Sequence, residues 1–327
     1  MGGLNPRARD ELGRIVAAVA LPTRERARVA TAAGEAEVEV AGPGGPVAGL
    51  AGTLYTSFYC VPSAPPPAAG DPNQFIAALR AANPIPPRLQ GGWTVVQIDQ
   101  VGILLGDARG RQRRAAAQEI APYGGGIVPG QPVRTAVPRE MISGPGGHYI
   151  ILGRPVHEPR TGRQVRFYWN VGPGEAASFL ALAGAGLERR RIPFQAKVPV
   201  APELYGRADC GVLYLSLEDV EAATDIVAAA YAALAAAIRP DTPLFTRRLA
   251  PGLAFAESPP SGDSFGMHRC RLVAEGLVAA FDRGAGDAEA RLAAICERFV
   301  GYGLDLAALE RNPATNYPYR LETLEAA

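Results

Sequence analysis

Lys197 is the one lysine in a chain of 327 residues whose lysines and arginines together number 33. Arginine stays protonated in proteins, whereas a buried ammonium can give up its proton. A single ammonium kept between Phe194, Ala196 and Val198 is therefore a candidate general base. The competing reading is a strand residue whose stem lies on apolar surface with its head in water. Further polar groups stand in apolar settings. R-F-Y-W-N at 166–170 carries Arg166, Tyr168 and Asn170 at alternate positions, which puts them on one face of a strand. Y-G-R-A-D at 205–209 supplies Tyr205, Arg207 and Asp209. S-F-G-M-H-R-C-R at 264–271 opens a helix with His268, Arg269 and Arg271 in its first turns. Free amides and the helix dipole favour an anion there.

A lysine base, a histidine acid and several arginines suit one reaction type. A carbon-bound proton beside a carbonyl is removed and phosphate leaves the neighbouring carbon. Arginines fork onto phosphate and stabilise the charge that develops on it. No metal or other cofactor is expected. Each group also has a plainer reading. Arg166 or Arg207 pairs with Asp209 or Glu257 at a sheet edge, and Tyr168 and Tyr205 are core residues with satisfied hydroxyls. His148 and His157 flank a hairpin and read as surface residues. Gly110–Arg114 reads as a solvated basic face, able to attract an acidic peptide.

The elements that must position these groups follow from periodicity. Residues 8–32 read as one or two helices, 35–41 as a short strand or linker, and Leu50–Cys60 as a helix. A further helix follows over 74–82, capped by Asp71 or Asn73. Residues 92–107 read as two strands about a turn. The Gly- and Pro-rich segment 122–147 reads as a connection. Strands are expected at 148–153, 165–171, 192–200, 211–217 and 252–257. Helices are expected from Pro173 to about Arg190, and over 218–238, 264–281, 287–302 and 304–310. This pattern predicts an α+β fold: a mixed, mostly antiparallel sheet flanked by helices, with a smaller N-terminal helical and β-meander part. The expected division is 1–135, with a peptide- or partner-binding role, and 136–327, the α+β core.

Composition excludes several classes. A net charge of +1 gives no overall attraction to nucleic acid or membrane. No run of 18 apolar residues occurs, so no membrane span is expected. The four cysteines lie far apart without a C-x-x-C pair, which points to a reducing cytoplasm. Phosphate-loop, dinucleotide, zinc-protease and nucleophile-elbow motifs are missing.

Four segments taken together, V-R-F-Y-W-N-V, I-P-F-Q-A-K-V-P, Y-G-R-A-D-C-G-V-L-Y-L and S-F-G-M-H-R-C-R-L-V-A-E-G-L, resemble the HopA-type effector-like family over roughly 140–280. Bacterial members include stand-alone proteins encoded beside an aminoglycoside-phosphotransferase-like kinase, in pathways to class V lanthipeptides and thioamide-containing peptides. The resemblance implies a cytoplasmic phosphoserine/phosphothreonine lyase that forms dehydroalanine or dehydrobutyrine in a ribosomal precursor peptide. Its partners would be the phosphorylated precursor, a separate kinase and, as a further candidate, a cyclase. It marks Arg166, Tyr168, Asn170, Lys197, Arg207, Asp209, His268 and Arg269. Within that set Lys197 is assigned as base and His268 as acid, with Tyr205 and Tyr168 as alternatives. Arg166, Arg207 and Arg269 are assigned to the phosphate, with Asn170 and Tyr168 beside them, and Asp209 to the catalytic group. Two other readings are a non-catalytic module that binds precursor or kinase, and a host-targeting effector.

Overall fold

The computed structural model describes residues 3–31, 34–39, 46–60, 65, 67–144, 147–154 and 163–325. His157 and the expected turn at 158–162 lie outside them. The fold is α+β, as the element pattern predicts.

The chain divides into two compact units, Met1–Asn83 with Ile142–Ala327, and Pro84–Met141. The expected boundary at 135 therefore moves. The first 83 residues join the C-terminal core, for an apolar reason. Helix α1 (Pro6–Ala18) buries Leu12 and Ile15, and α2 (Pro46–Leu54) buries Leu50 and Leu54. They share one core with Phe265, Leu277, Ile295 and Phe299 from the C-terminal helices α6 (Phe265–Asp282) and α7 (Ala288–Gly301). After α1 the chain forms a three-stranded sheet of β1 (Val19–Thr23), β2 (Arg26–Thr31) and β3 (Gly34–Glu39). This corrects the helical reading of 19–31. R-A-R-V-A-T buries Ala27 and Val29 with a period of two, which a strand satisfies and a helix does not. Helix α2 runs on into a π-helical turn at Tyr55–Tyr59, and α3 (Pro72–Ala81) starts at Asp71, whose carboxylate accepts the amide of Asn73.

The smaller unit is a meander: β4 (Leu89–Asp99), β5 (Gly102–Asp107), β6 (Gln112–Ala115), β7 (Ile120–Pro122) and β8 (Pro132–Ala136), in the spatial order β6-β5-β4-β8-β7. Val95, Leu105 and Val133 form its core. Part of the expected connection 122–147 is thus a paired strand, because Val133 and Thr135 alternate inward.

The larger sheet has the order β14-β15-β11-β13-β12-β10-β9. Its strands are β9 (Glu140–Ile142), β10 (His148–Leu152), β11 (Gln164–Trp169), β12 (Phe194–Pro199), β13 (Gly211–Ser216), β14 (Arg247–Ala250) and β15 (Leu253–Glu257). Every pairing described among β10–β15 is antiparallel. Helices α4 (Ala176–Arg189) and α5 (Val220–Leu234) cover one face, where Trp169 packs against Phe179 and Tyr231. The π-turn and α6 cover part of the other, through the rings of Tyr59, Phe265 and Tyr168. Helices α6 and α7 cross closely at Gly276, where a Cβ would stand 2.6 Å from the Ile295 backbone.

The C-terminal segment before α8 (Glu322–Glu325) is not helical at 304–310, against expectation. A side chain holds its carbonyls in place of intrahelical amides. Arg269, with no exposed surface, donates from Nε to the Leu309 carbonyl at 2.9 Å and from Nη2 to that of Arg311 at 2.7 Å. Glu257, also buried, accepts the Asn312 amide, the Thr315 hydroxyl and the Tyr319 hydroxyl. Replacing Arg269 by leucine strands two carbonyls, so urea unfolding should show a loss of about 2–4 kcal/mol. An unchanged midpoint would show that the tail does not depend on this arginine.

Candidate functional site

Strand register puts five polar side chains on the face of the larger sheet opposite α4 and α5. Arg166 lies opposite Tyr214, and Tyr214 opposite Gln195. One row along, Tyr168 lies opposite Val212, Val212 opposite Lys197, and Lys197 opposite Ile150. The ring of Tyr214 is shared. The Arg166 guanidinium lies 5.4 Å and the Lys197 Nζ 5.8 Å from its centroid, within the range of a cation–π contact. Arg166 is 9% exposed and is aimed by two bonds, Nε to the Ser258 hydroxyl at 2.8 Å and Nη2 to the Asp263 carbonyl at 3.1 Å.

A further cation, Arg207, acts on His148 as Lys197 does. Arg207 forks onto Asp209 with two bonds of 2.8 Å, donates to the Tyr55 hydroxyl at 2.8 Å, and lies 5.2 Å over that ring. Asp209 holds Arg207, so the expected pairing between them forms. His148 joins the group. It sits two residues before Ile150, so it shares the face of Lys197 and is its diagonal neighbour, a separation of roughly 7–8 Å. Burial pulls the His148 imidazole down to about 4, helped by the positive charges of Lys197 and Arg207 and opposed by Asp209. The result is a half-open strip of three cations with one carboxylate and one histidine.

Other residues assigned from the sequence lie apart from this strip. His268 is 1% exposed and packs edge-on against Tyr302. Its Nδ1 faces Arg269 Nη1 at 2.7 Å. Arginine can only donate, so Nδ1 accepts and Nε2 carries the hydrogen. That Nε2 is buried without a partner among the described residues. Burial, then Arg269, lowers His268 to about 4. A proton donor for the strip is not placed here. Arg269 spends its donors on the tail and on His268, which leaves it a structural clamp rather than a phosphate ligand. Asn170 is buried and donates to the Asp241 carbonyl at 3.0 Å. Tyr205, with no exposed surface, donates to the Pro199 carbonyl at 3.0 Å, and burial raises its pKa. Tyr168 is on the right face but beneath the surface, and burial raises it to about 12.

Three contributors were not singled out for the site: Tyr214, Tyr55 and His148. The alternation V-L-Y-L could have flagged Tyr214 as facing Arg166. Nothing local marks Tyr55, which arrives from 152 residues away. His148 read as a surface residue because its strand partner is not sequential. Among the described residues no three His, Cys, Asp or Glu side chains gather to hold a metal. The largest cavity described, about 890 Å³, lies elsewhere, beside Arg7, Glu11, Arg247, Arg248 and Arg311. Its Arg7 is already paired with Glu11 at 2.8 Å. A second cavity, about 550 Å³, opens beside Arg166 and Tyr214.

The chain belongs to the HopA1 effector protein family, whose sequence model matches residues 144–311. The structure is similar to that of an effector protein from Pseudomonas syringae pv. tomato strain DC3000, with a TM-score of 0.51 and 21% identity over 94% of this chain and 96% of the other. A second effector structure, from Pseudomonas syringae pv. syringae strain 61, matches with a TM-score of 0.44 and 18% identity over 76% of this chain and 84% of that one. A comparison with curated proteins finds no match. No helix among the described residues is long and apolar enough to cross a membrane.

His268, buried, and His148, half-buried, both favour the neutral form in the folded state, so the unfolded chain binds more protons between their folded and unfolded pKa values. Their contribution to stability is full above about 6.5 and is lost as pH falls towards 4. Urea midpoints should drop over that window, and His268→Gln should flatten the drop. An unaltered slope in the variant would remove His268 as its source.

Proposed function

We propose that this chain is a phosphoserine/phosphothreonine lyase that eliminates phosphate from a kinase-phosphorylated ribosomal precursor peptide. One observation carries the reading. The single lysine is half-buried, with Arg166 on the same tyrosine ring, and its charge and that of Arg207 both act on His148. In this reading Arg166 and Arg207 hold the phosphate and turn the neighbouring Cα–H towards Lys197. The neutral amine of Lys197 takes that proton. The C–H electron pair becomes the Cα=Cβ bond, and the Cβ–O bond breaks with its pair leaving on phosphate. His148, rather than His268, is the group positioned to return a proton to the leaving oxygen. Phosphate charge brought beside His148 works against the burial, and the neighbouring cations, that hold it neutral, so substrate binding favours the imidazolium. The products are dehydroalanine or dehydrobutyrine and inorganic phosphate, with no redox change. Nothing in the chain resembles a kinase, so a separate kinase supplies the substrate, and a cyclase is a partner consistent with the product.

A second reading, an effector acting on host phosphoproteins, is favoured by the family the chain belongs to. Both readings predict phosphate release by Lys197 chemistry, and substrate choice separates them. Lys197→Ala should lower phosphate release from a phosphothreonine peptide by roughly 10²–10⁴-fold, the usual weight of a general base. Mass spectrometry follows loss of phosphoric acid from the peptide incubated with this protein alone. Wild-type rates in the variant would remove Lys197 as base, and no loss with the wild type would remove the lyase.

A further inference from the structure

Arg166 shows little surface to solvent, and part of its surroundings is the 550 Å³ cavity. That volume lies within the usual range for ligand sites. The cavity forms where β11 and β12 begin and where β13 and β15 end, and the C-terminal segment closes it. Its floor includes Tyr214 and Gln195, which share the face of Lys197. Its walls include Pro193, Pro259, Pro260 and Pro313, so the backbone around it is stiff before anything binds. The apolar surface is that of the prolines, since Phe194 and Leu215 turn to the opposite face of the sheet.

Several polar groups in this wall bond to one another. Ser258 accepts from Arg166 and donates to Gln164 at 3.0 Å. Asn312 donates from Nδ2 to the Ser258 carbonyl at 2.7 Å. The Asn312 Oδ1 is the exception: it is buried and has no donor among the described residues. A buried acceptor left unmade is costly.

We propose that this cavity is a subsite for the peptide residues next to the phosphorylated one, accepting an apolar side chain against its proline walls. The inference rests on the lyase reading for the neighbour it serves. The cavity shares Arg166 and Tyr214 with the basic strip, so a peptide whose phosphate meets Arg166 places an adjoining residue here. An acidic neighbour is disfavoured by the apolar walls and by Glu257, whose carboxylate is already fully bonded.

The test uses the full chain with three substrates: a capped single phosphothreonine, a phosphothreonine peptide flanked by leucines, and the same peptide flanked by aspartates. The leucine peptide should have a KM about 10-fold below the other two, the discrimination an apolar pocket supplies. Ser216→Trp and Pro260→Trp each fill the cavity from a different side. Both should abolish that gain while kcat/KM for the capped residue stays unchanged. If both variants keep the gain, the subsite is overturned and the lyase stands. If no substrate loses phosphate, the lyase reading falls and fluorescence anisotropy of the labelled leucine peptide decides the cavity. Leucine-dependent binding weakened about 10-fold in both variants supports it, and equal binding overturns it.

Discussion

The buried guanidinium of Arg269 fastens the C-terminal segment that walls the cavity beside Arg166. A cation without solvent is tolerated only when its donors are used, and here the backbone carbonyls of Leu309 and Arg311 and the ring of His268 use them. Glu257 does the complementary work on donors, taking one amide and two hydroxyls of the same segment. One cation from α6 and one anion from β15 thus fasten an irregular tail that has little helix of its own. That tail supplies Asn312, Pro313 and Thr315 to the cavity beside Arg166. The segment is held from both sides by charge, so the wall of the cavity is fixed without regular secondary structure.

The open face obeys a different rule. Its cations are not matched one for one by carboxylates. Arg207 has Asp209, while Arg166 is held by a hydroxyl, a carbonyl and a ring, and Lys197 leans on the same ring. Aromatic faces keep cations in place without neutralising them. The strip therefore keeps net positive charge in a partly desolvated setting, where an incoming dianion meets more attraction than in water. The buried charges that hold the tail are spent on its backbone and hydroxyls, and the charge on the strip is left more open.

Much of this was legible in the chain. The period-two run V-R-F-Y-W-N gave β11 with its faces correctly sorted, since alternation is a local property. Lys197 stood out by composition alone. Arg269, His268 and Asn170 misled, because position at a helix start or on a strand says where a side chain begins and not what has already claimed its hydrogen bonds. Arg269 belongs to carbonyls about forty residues on. His148 was the reverse case: an unremarkable strand residue becomes a neighbour of Lys197 only through the pairing of β10 with β12. Long-range pairing and burial, which no window of sequence contains, decided both outcomes.

The scarcity of lysine has a consequence for the chemistry that can be done on this protein. A chain with many lysines answers an acylating or reductively alkylating reagent with a mixture of adducts. Here the side chains offer a single ε-amine, on β12 and half-buried. Any such label on a side chain reports the state of that one nitrogen, its accessibility and its protonation. The residue around which the strip is arranged is thus also the molecule's own reporter group.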